Sequence, residues 1–559
     1  MLDVHTYETI YRPGKPPSEG GHPGFGHRVL REPGMIIERD VPVQLRDGVT
    51  LYVDVYRPEG DQPAPVLLEW GPYGKHFPAF TIYGRFPGCG VRAEWLSEEH
   101  VIFEGSDPTF WCPRGYAIVN ADPRGTWHSE GEATFADQTQ EAADCYDAIE
   151  WAAAQEWSSG KVGMTGVSYL TYIQWFVAAL NPPHLAAINP WEGCSDMYRE
   201  KFFHGGIRDT SFPAHWQDNI SFSTTRVEDT TAMADAHPLF DAYWENKVAK
   251  LSQITVPAYV VASWTDHALH TRGTLEGFRE ISSGEKWLEV HGRKKWEYYH
   301  RPASVARQMK FFDHFLKEID NEVPQWPRVL LEIRQRAYTG KWVTEEQWPP
   351  PQTEYRQLFL DSIGLLRVAL PQASSEVRYD PAEPGARAQF DYTFDEPTDL
   401  VGYMKLRLWV QSQGSDDMDL FVGIQKLDPD GQIVHFPFYA EHDDGNVALG
   451  WLRASHRELD EAHSTSWQPR HQHVRELKLE PGEPVPVEIE IWPSGTSFGR
   501  GETLRLIVQG RDLYEYPGAI ISRHEDTRNA GQHVIHTGGE YDSHLLIPVL
   551  APVPERRDR

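Results

Sequence analysis

An α/β fold, built on a doubly wound and mostly parallel sheet, is what the sequence predicts, and three observations carry the prediction. Short, nearly continuous apolar runs recur through the first 300 or so residues, as expected of strands buried on both faces. Stretches with helical hydrophobic spacing lie between them, which is the alternation of βαβ units. After Pro349-Pro350-Pro351 the pattern changes to period 2, punctuated by Gly, Pro and Asp, which reads as a separate β-sandwich or jelly roll.

The elements follow in order. Val41–Leu45 and Thr50–Tyr56 flank Asp47-Gly48, a pair that adopts the positive φ values of a tight turn, so an opening hairpin is expected. Val66–Trp70, Ala117–Ala121, Val162–Thr165, Ala186–Ile188, Pro257–Ala262 and Trp287–Val290 are the expected parallel strands. Glu141–Gln155, Tyr169–Leu180 and Ser304–Ile319 are the expected helices. From about Asp196 to Gln253 the strands give way to an aromatic and charged stretch, read as a helical cap. Lys405–Val410, Leu420–Gln425, Val485–Trp492 and Thr503–Gln509 are the clearest strands of the C-terminal part.

The chain of 559 residues exceeds the roughly 250–300 that one core supports, so several domains are required. The boundaries expected are a catalytic sheet domain over 1–195 and 254–345, a helical cap insertion over 196–253, and a jelly-roll β-sandwich over 346–559. No repeat of 20–50 residues argues for a solenoid or propeller.

Composition excludes several classes. Apolar residues are 40% and charged residues 24% of the chain, an ordinary globular mix. Asp and Glu outnumber Lys and Arg by 82 to 53, and a net charge of −29 repels phosphate backbones and anionic lipid, so neither nucleic acid nor a membrane is expected as partner. Met1–Pro17 has no apolar leader-like run, and no stretch approaches the ~18 apolar residues of a membrane span. The four cysteines have no CxxC spacing and suit free thiols in the cytoplasm. Gly24-Phe-Gly26 follows no strand and is a poor dinucleotide fingerprint, so no cofactor is expected. Ser415-Asp416-Asp417-Met-Asp419 lacks an EF-hand ligand pattern and reads as a solvated loop, so no metal is expected.

The chemistry concentrates at Gly166-Val167-Ser168-Tyr169-Leu170. A serine between an apolar strand and a helix, with glycine two positions before it, fits a nucleophile elbow. The helix that follows directs unpaired N–H groups and a positive dipole end at developing negative charge, with the Tyr169 N–H as an oxyanion donor. Leu170 stands where the usual motif has a second glycine. Downstream, one strand delivers Asp266 and the next ends on His291, in the Ser-Asp-His chain order of α/β-hydrolases. Alone, Asp266 also suits a helix N-cap and His291 a loop histidine; their joint order favours catalysis. Trp191, Trp264, Tyr169 and Trp175, with several cap aromatics, are candidates to line an apolar substrate pocket. Asp122-Pro-Arg124-Gly125 is read as a brace through an Arg–carboxylate pair with an acid in the Glu130–Asp144 stretch.

At Gly115–Gly125, Ser129-Glu-Gly-Glu132, Gly163–Leu170 and Trp264-Thr-Asp266, the chain resembles the cocaine esterase and X-prolyl dipeptidyl peptidase family of acyl hydrolases. The resemblance implies an α/β-hydrolase core with a helical cap and a C-terminal jelly roll. It also implies Leu after the elbow, and a second oxyanion donor at Tyr73 in Gly71-Pro72-Tyr73-Gly74-Lys75. Thr171 departs from the glycine frequent in relatives and is expected to loosen the elbow. The family's Gly-Pro-Trp-x-His segment is replaced by Val290-His291-Gly292-Arg293-Lys294-Lys295-Trp296, which keeps His300 and His267 as alternative bases. The expectation is a serine hydrolase of a small-molecule carboxylic ester, with amide hydrolysis as peptidase or acylase next. A decayed hydrolase binding carbohydrate is the non-enzymatic alternative, and a homo-oligomer is left open.

Overall fold

The computed structural model describes residues 7–551 except 481, 515 and 517–520. The first positions of the Met1–Pro17 stretch and the end of the 346–559 region therefore lie outside the described residues.

Six strands form the expected parallel succession. Ala117–Asp122, Ala64–Trp70, Ser158–Val167, Leu185–Trp191, Ala258–Ser263 and Lys286–His291 lie side by side, and Val329–Arg336 continues the sheet in the same direction. Thr50–Pro58 joins the other edge antiparallel to Ala117–Asp122 and forms the opening hairpin with Met35–Gln44.

Strand alternation divides the core between two faces. Val66, Leu68, Met164, Ile188, Val260 and Ala262 point to the helices Gln140–Ala153, Tyr169–Ala178 and Thr271–Glu280. Leu67, Ile118, Ala187, Tyr259 and Val261 point the other way, against Phe311, Phe312 and Leu316 of Pro302–Lys317. Burying a side chain such as Phe312 contributes about 1.5–3 kcal/mol, so both layers are needed to hold the sheet. Gly163 lies under this second layer, where a Cβ would meet the Phe312 ring at 2.8 Å.

The cap region differs from its all-helical expectation. It contains short helices, including Phe212–Asn219 and Thr230–Ala236, and a π-helical turn at Tyr198–Phe202. It also contains a tiny antiparallel pair, Phe203–His204 with Ile207–Arg208, and a strand Arg226–Glu228 that pairs with Tyr11–Pro13 from the N-terminal segment. A partner more than 200 residues away satisfies that strand's backbone, and local periodicity carries no sign of it.

The C-terminal region is β-rich and has its own apolar core, including Leu406, Leu408, Val422, Ile489 and Leu506. Its long strands Thr398–Gln413 and Val485–Phe498 pair antiparallel. It is joined to the parallel sheet at Arg334, which is buried and donates to Ser494 Oγ at 2.8 Å and the Val447 carbonyl at 3.0 Å. The acidic loop read as solvated is partly interior: Asp419 is fully buried in a bidentate pair with Arg453, and Asp417 accepts from Ser455. Arg453, directly opposite Asp419 on the neighbouring strand, makes that burial tolerable.

Candidate active site

Ser168 sits between the strand Ser158–Val167 and the helix Tyr169–Ala178 with φ 59° and ψ −115°, a strained conformation that non-glycine residues rarely hold. The turn is kept tight by small contacts. Gly166 has φ 126°, and a Cβ there would meet Leu170 at 2.5 Å. The Ser168 N–H reaches the carbonyls of Trp191 and Glu192, both at 3.1 Å. Thr171, expected to loosen this packing, fastens it: its hydroxyl lies 2.9 Å from the Gly166 carbonyl and 2.7 Å from that of Trp191, and accepts the Trp191 N–H at 2.8 Å. Opposite its methyl stands Gly193, where any Cβ would come within 2.4 Å. As the first residue of its helix, Tyr169 has an N–H with no intrahelical acceptor, while its phenol is bound to Glu141 at 2.8 Å.

Asp266 follows the strand Ala258–Ser263, and the chain turns sharply through Ala268 at φ 72°. The N–H groups of Leu269, His270 and Thr271 all reach the Asp266 carbonyl, which brings residue 270 back over residue 266. Side chain now meets side chain. His270 Nδ1 is 2.5 Å from Asp266 Oδ2, and its Nε2 is 3.2 Å from Ser168 Oγ and 2.8 Å from the Tyr172 hydroxyl. The carboxylate only accepts, so Nδ1 carries the proton and Nε2 offers its lone pair to the two hydroxyls. All three of Ser168, His270 and Asp266 are buried.

Lys295 completes the cluster, its Nζ donating to Asp266 Oδ2 at 2.8 Å and lying 3.2 Å from His270 Nδ1. Burial alone would raise the Asp266 carboxyl, but Lys295 and His270 outweigh it and bring the pKa down to about 2. For His270, burial and then Lys295 push the imidazole down to about 4, against the attraction of Asp266.

The structure does not bring His291 to the serine. The pleat that points Val290 toward the helices bearing Ser168 and His270 sends His291 to the opposite face. There its ring stacks on Tyr298 at 3.8 Å, its Nε2 lies 3.1 Å from Glu192, and its Nδ1 accepts the Arg293 N–H. His300 is bound to the Tyr83 hydroxyl at 2.9 Å, and His267 accepts the Leu449 N–H from the β-rich region. His270 is the residue that the strand-end argument missed. The signal was present in Asp266-His-Ala-Leu-His270 as a four-residue spacing, but here the turn at Ala268, not a helix, brings the two side chains together.

A cavity of about 440 Å³ opens onto Ser168, walled chiefly by Tyr73, Phe103, Phe212, Trp216, Phe222 and Tyr439. The β-rich region supplies Tyr439, anchored by its N–H to the Thr265 carbonyl. Tyr73 packs edge-on to Phe103, and its phenol faces Ser168 and the Trp216 indole, with burial raising its pKa well above the usual value. Trp191 and Trp264 are not in this wall. Trp191 donates to Asn189 and packs on Tyr299, while Trp264 donates to the Glu332 carbonyl and packs on Trp348. Trp175 is likewise interior, over Gly277. Buried at the cavity wall, Glu104 has φ 66° and accepts from the Trp296 indole, and burial raises its carboxyl to about 8. After the strand Ala117–Asp122, Arg124 forms a bidentate pair with Asp144.

Among the described residues no group of three or more His, Cys, Asp or Glu could hold a metal ion, and the four cysteines are buried and unbridged. No helix among them is long and apolar enough to cross a membrane.

Comparisons with known proteins show which family the chain is similar to. Residues 47–234 match the model of the X-Pro dipeptidyl-peptidase (S15 family), and residues 321–546 match the X-Pro dipeptidyl-peptidase C-terminal non-catalytic domain. The chain is 24% identical to a cocaine esterase of Rhodococcus sp., over 92% of this chain and 98% of that protein. It superposes on a CocE/NonD family hydrolase from Staphylococcus aureus with 43% identity and a TM-score of 0.91, covering 94% of this chain and 96% of the other. An α-amino acid ester hydrolase shares the fold at 18% identity and a TM-score of 0.68, over 92% of this chain and 97% of the other. The chain belongs to the CocE/NonD hydrolase family, with cocaine esterase and the X-Pro dipeptidyl-peptidases among its relatives, and is a serine hydrolase.

Proposed function

We propose that this serine hydrolase cleaves a small-molecule carboxylic ester through a Ser168–His270–Asp266 triad and an acyl-enzyme. The observation that carries the reading is the unbroken hydrogen-bonded chain from Ser168 Oγ through both nitrogens of His270 to Asp266, ending on a largely aromatic cavity. His270 Nε2 takes the serine proton as Oγ attacks the ester carbonyl, and Asp266 orients and stabilises the imidazolium that forms. The Tyr73 hydroxyl and the Tyr169 N–H receive the oxyanion. Proton return from His270 releases the alcohol, and water activated by the same imidazole then frees the acid.

Ester hydrolysis is favoured over amide hydrolysis by the extent of the relatives. The cocaine esterase is matched over 98% of its length, whereas a putative Xaa-Pro dipeptidyl-peptidase of Bacillus anthracis is matched over 55%. Peptidase or acylase activity is the second reading, resting on the S15 match at 47–234. In architectural terms we read an α/β-hydrolase core over 1–195 and 254–345, a cap over 196–253 and a jelly roll over 346–559. The four buried thiols suit a reducing cytoplasm.

The test is a panel of p-nitrophenyl esters beside an aminoacyl-prolyl anilide and a β-lactam side-chain amide, run with Ser168→Ala. Ester turnover abolished in the variant, with loss of labelling by a serine-directed phosphonate, is the expected result. Undiminished turnover by Ser168→Ala removes the triad reading, and a preference for the anilide replaces esterase by peptidase.

A further inference from the structure

The segment expected to supply the base supplies an ammonium instead. Lys295 opens the short helix Lys295–His300 directly after the strand ending at His291, and it is buried beside the Asp266 carboxylate. We propose that Lys295 is a positioning residue for the hydrolysis: its ammonium pins Asp266 and holds the proton off His270, so the base stays neutral in acid where an ordinary imidazole is charged. The proposal rests on the triad reading above.

Two geometric facts support it. Asp266 Oδ2 accepts from both His270 Nδ1 and Lys295 Nζ, so the carboxylate cannot swing away from one without leaving the other. Lys295 Nζ is also 3.2 Å from His270 Nδ1, so protonating the imidazole places a second positive charge against the ammonium in a buried site.

The other groups around the imidazole do not cancel this field. On the helix carrying Ser168, Tyr172 offers a neutral hydroxyl to Nε2. The Cys194 thiol, bonded to that hydroxyl, is held neutral by burial. Glu104 and Glu192 lie around Lys295, and burial raises Glu104 to about 8 and Glu192 well above the usual range, which favours their neutral forms. Tyr439, whose ring lies 5.6 Å from Lys295 Nζ, is an un-ionised phenol. Lys201 sits over the Tyr172 ring, with burial lowering its pKa well below the usual value, and any charge it keeps acts on His270 in the same sense as Lys295. Lys295 and Asp266 form the ion pair that lies directly beside the imidazole. Burial already disfavours the imidazolium, and the Lys295 cation adds to it against the attraction of Asp266.

The experiment is the pH dependence of kcat/KM for p-nitrophenyl butyrate, followed by butyrate release, in the wild type, Lys295→Met and Lys295→Arg. The wild type is expected to hold its rate to well below the usual imidazole range of about 6–7. In Lys295→Met the acid limb moves up by at least about one pH unit, and Lys295→Arg, which keeps the charge, holds it low. Phosphonate labelling and near-ultraviolet circular dichroism check that the variants fold. A wild-type limb at about pH 6–7 overturns the proposal without any variant. So does a Lys295→Met profile that falls uniformly with no displaced limb, the result of a structural role alone. Failure of the triad reading shows separately, as turnover in Ser168→Ala.

Discussion

Asp266 and His270 face each other across a single tight turn, His270 Nδ1 donating to Asp266 Oδ2 at 2.5 Å, so the proposed acid and base come from one short segment rather than from two strands. The positive φ of Ala268 and the convergence of three N–H groups on the Asp266 carbonyl fix that segment in place. Their alignment toward Ser168 is therefore set mostly before substrate arrives, which favours preorganised proton transfer.

The two histidines should separate cleanly. His270→Ala is expected to lower kcat for ester hydrolysis by about 10³-fold or more, because both proton transfers run through Nε2. His291→Ala should keep kcat within a few-fold while lowering the melting temperature, since it removes a ring packed on Tyr298. Single-substrate kinetics with thermal melts decides, and the reverse pattern would return the base to His291.

Tyr73→Phe is expected to lower kcat by roughly 10²–10³-fold with little change in KM. A phenol aimed at the oxyanion acts in the transition state and hardly at all on the bound ester. A change confined to KM would make Tyr73 a wall of the cavity and leave the Tyr169 N–H as the donor.

Tyr172 and Ser168 compete for one lone pair, their oxygens lying 2.8 Å and 3.2 Å from His270 Nε2. Removing the phenolic donor in Tyr172→Phe should favour the Ser168 contact by about 1 kcal/mol, raising kcat/KM by up to about five-fold. A fall of more than ten-fold would show instead that the Tyr172 hydroxyl takes part in the proton path.

Neither chelators nor mild reductants should change the rate. The cysteines are buried and unbridged, and no metal-ligating cluster exists among the described residues. Activity lost in chelator and restored by a named divalent cation would contradict this.

The sequence by itself determined what depends on local patterning. Continuous apolar runs marked the parallel strands, and the Gly166–Ser168 turn between strand and helix marked the proposed nucleophile, because period, glycine placement and chain order are written in neighbouring residues. Asp266 was legible for the same reason, as an acid at a strand's carboxyl end. Tertiary structure alone decided which imidazole meets it. The pleat phase that sends His291 to the far face follows from pairing with Ala258–Ser263, and the return of His270 over Asp266 follows from a left-handed residue at Ala268. Neither is encoded in hydrophobic period. Trp191 and Trp264 look like Phe212 and Trp216 in sequence, but only packing tells a core aromatic from a cavity wall. The charge that Lys295 brings to Asp266 is likewise invisible until both are buried together, since a lysine in a basic run is ordinarily solvated and its field screened by water.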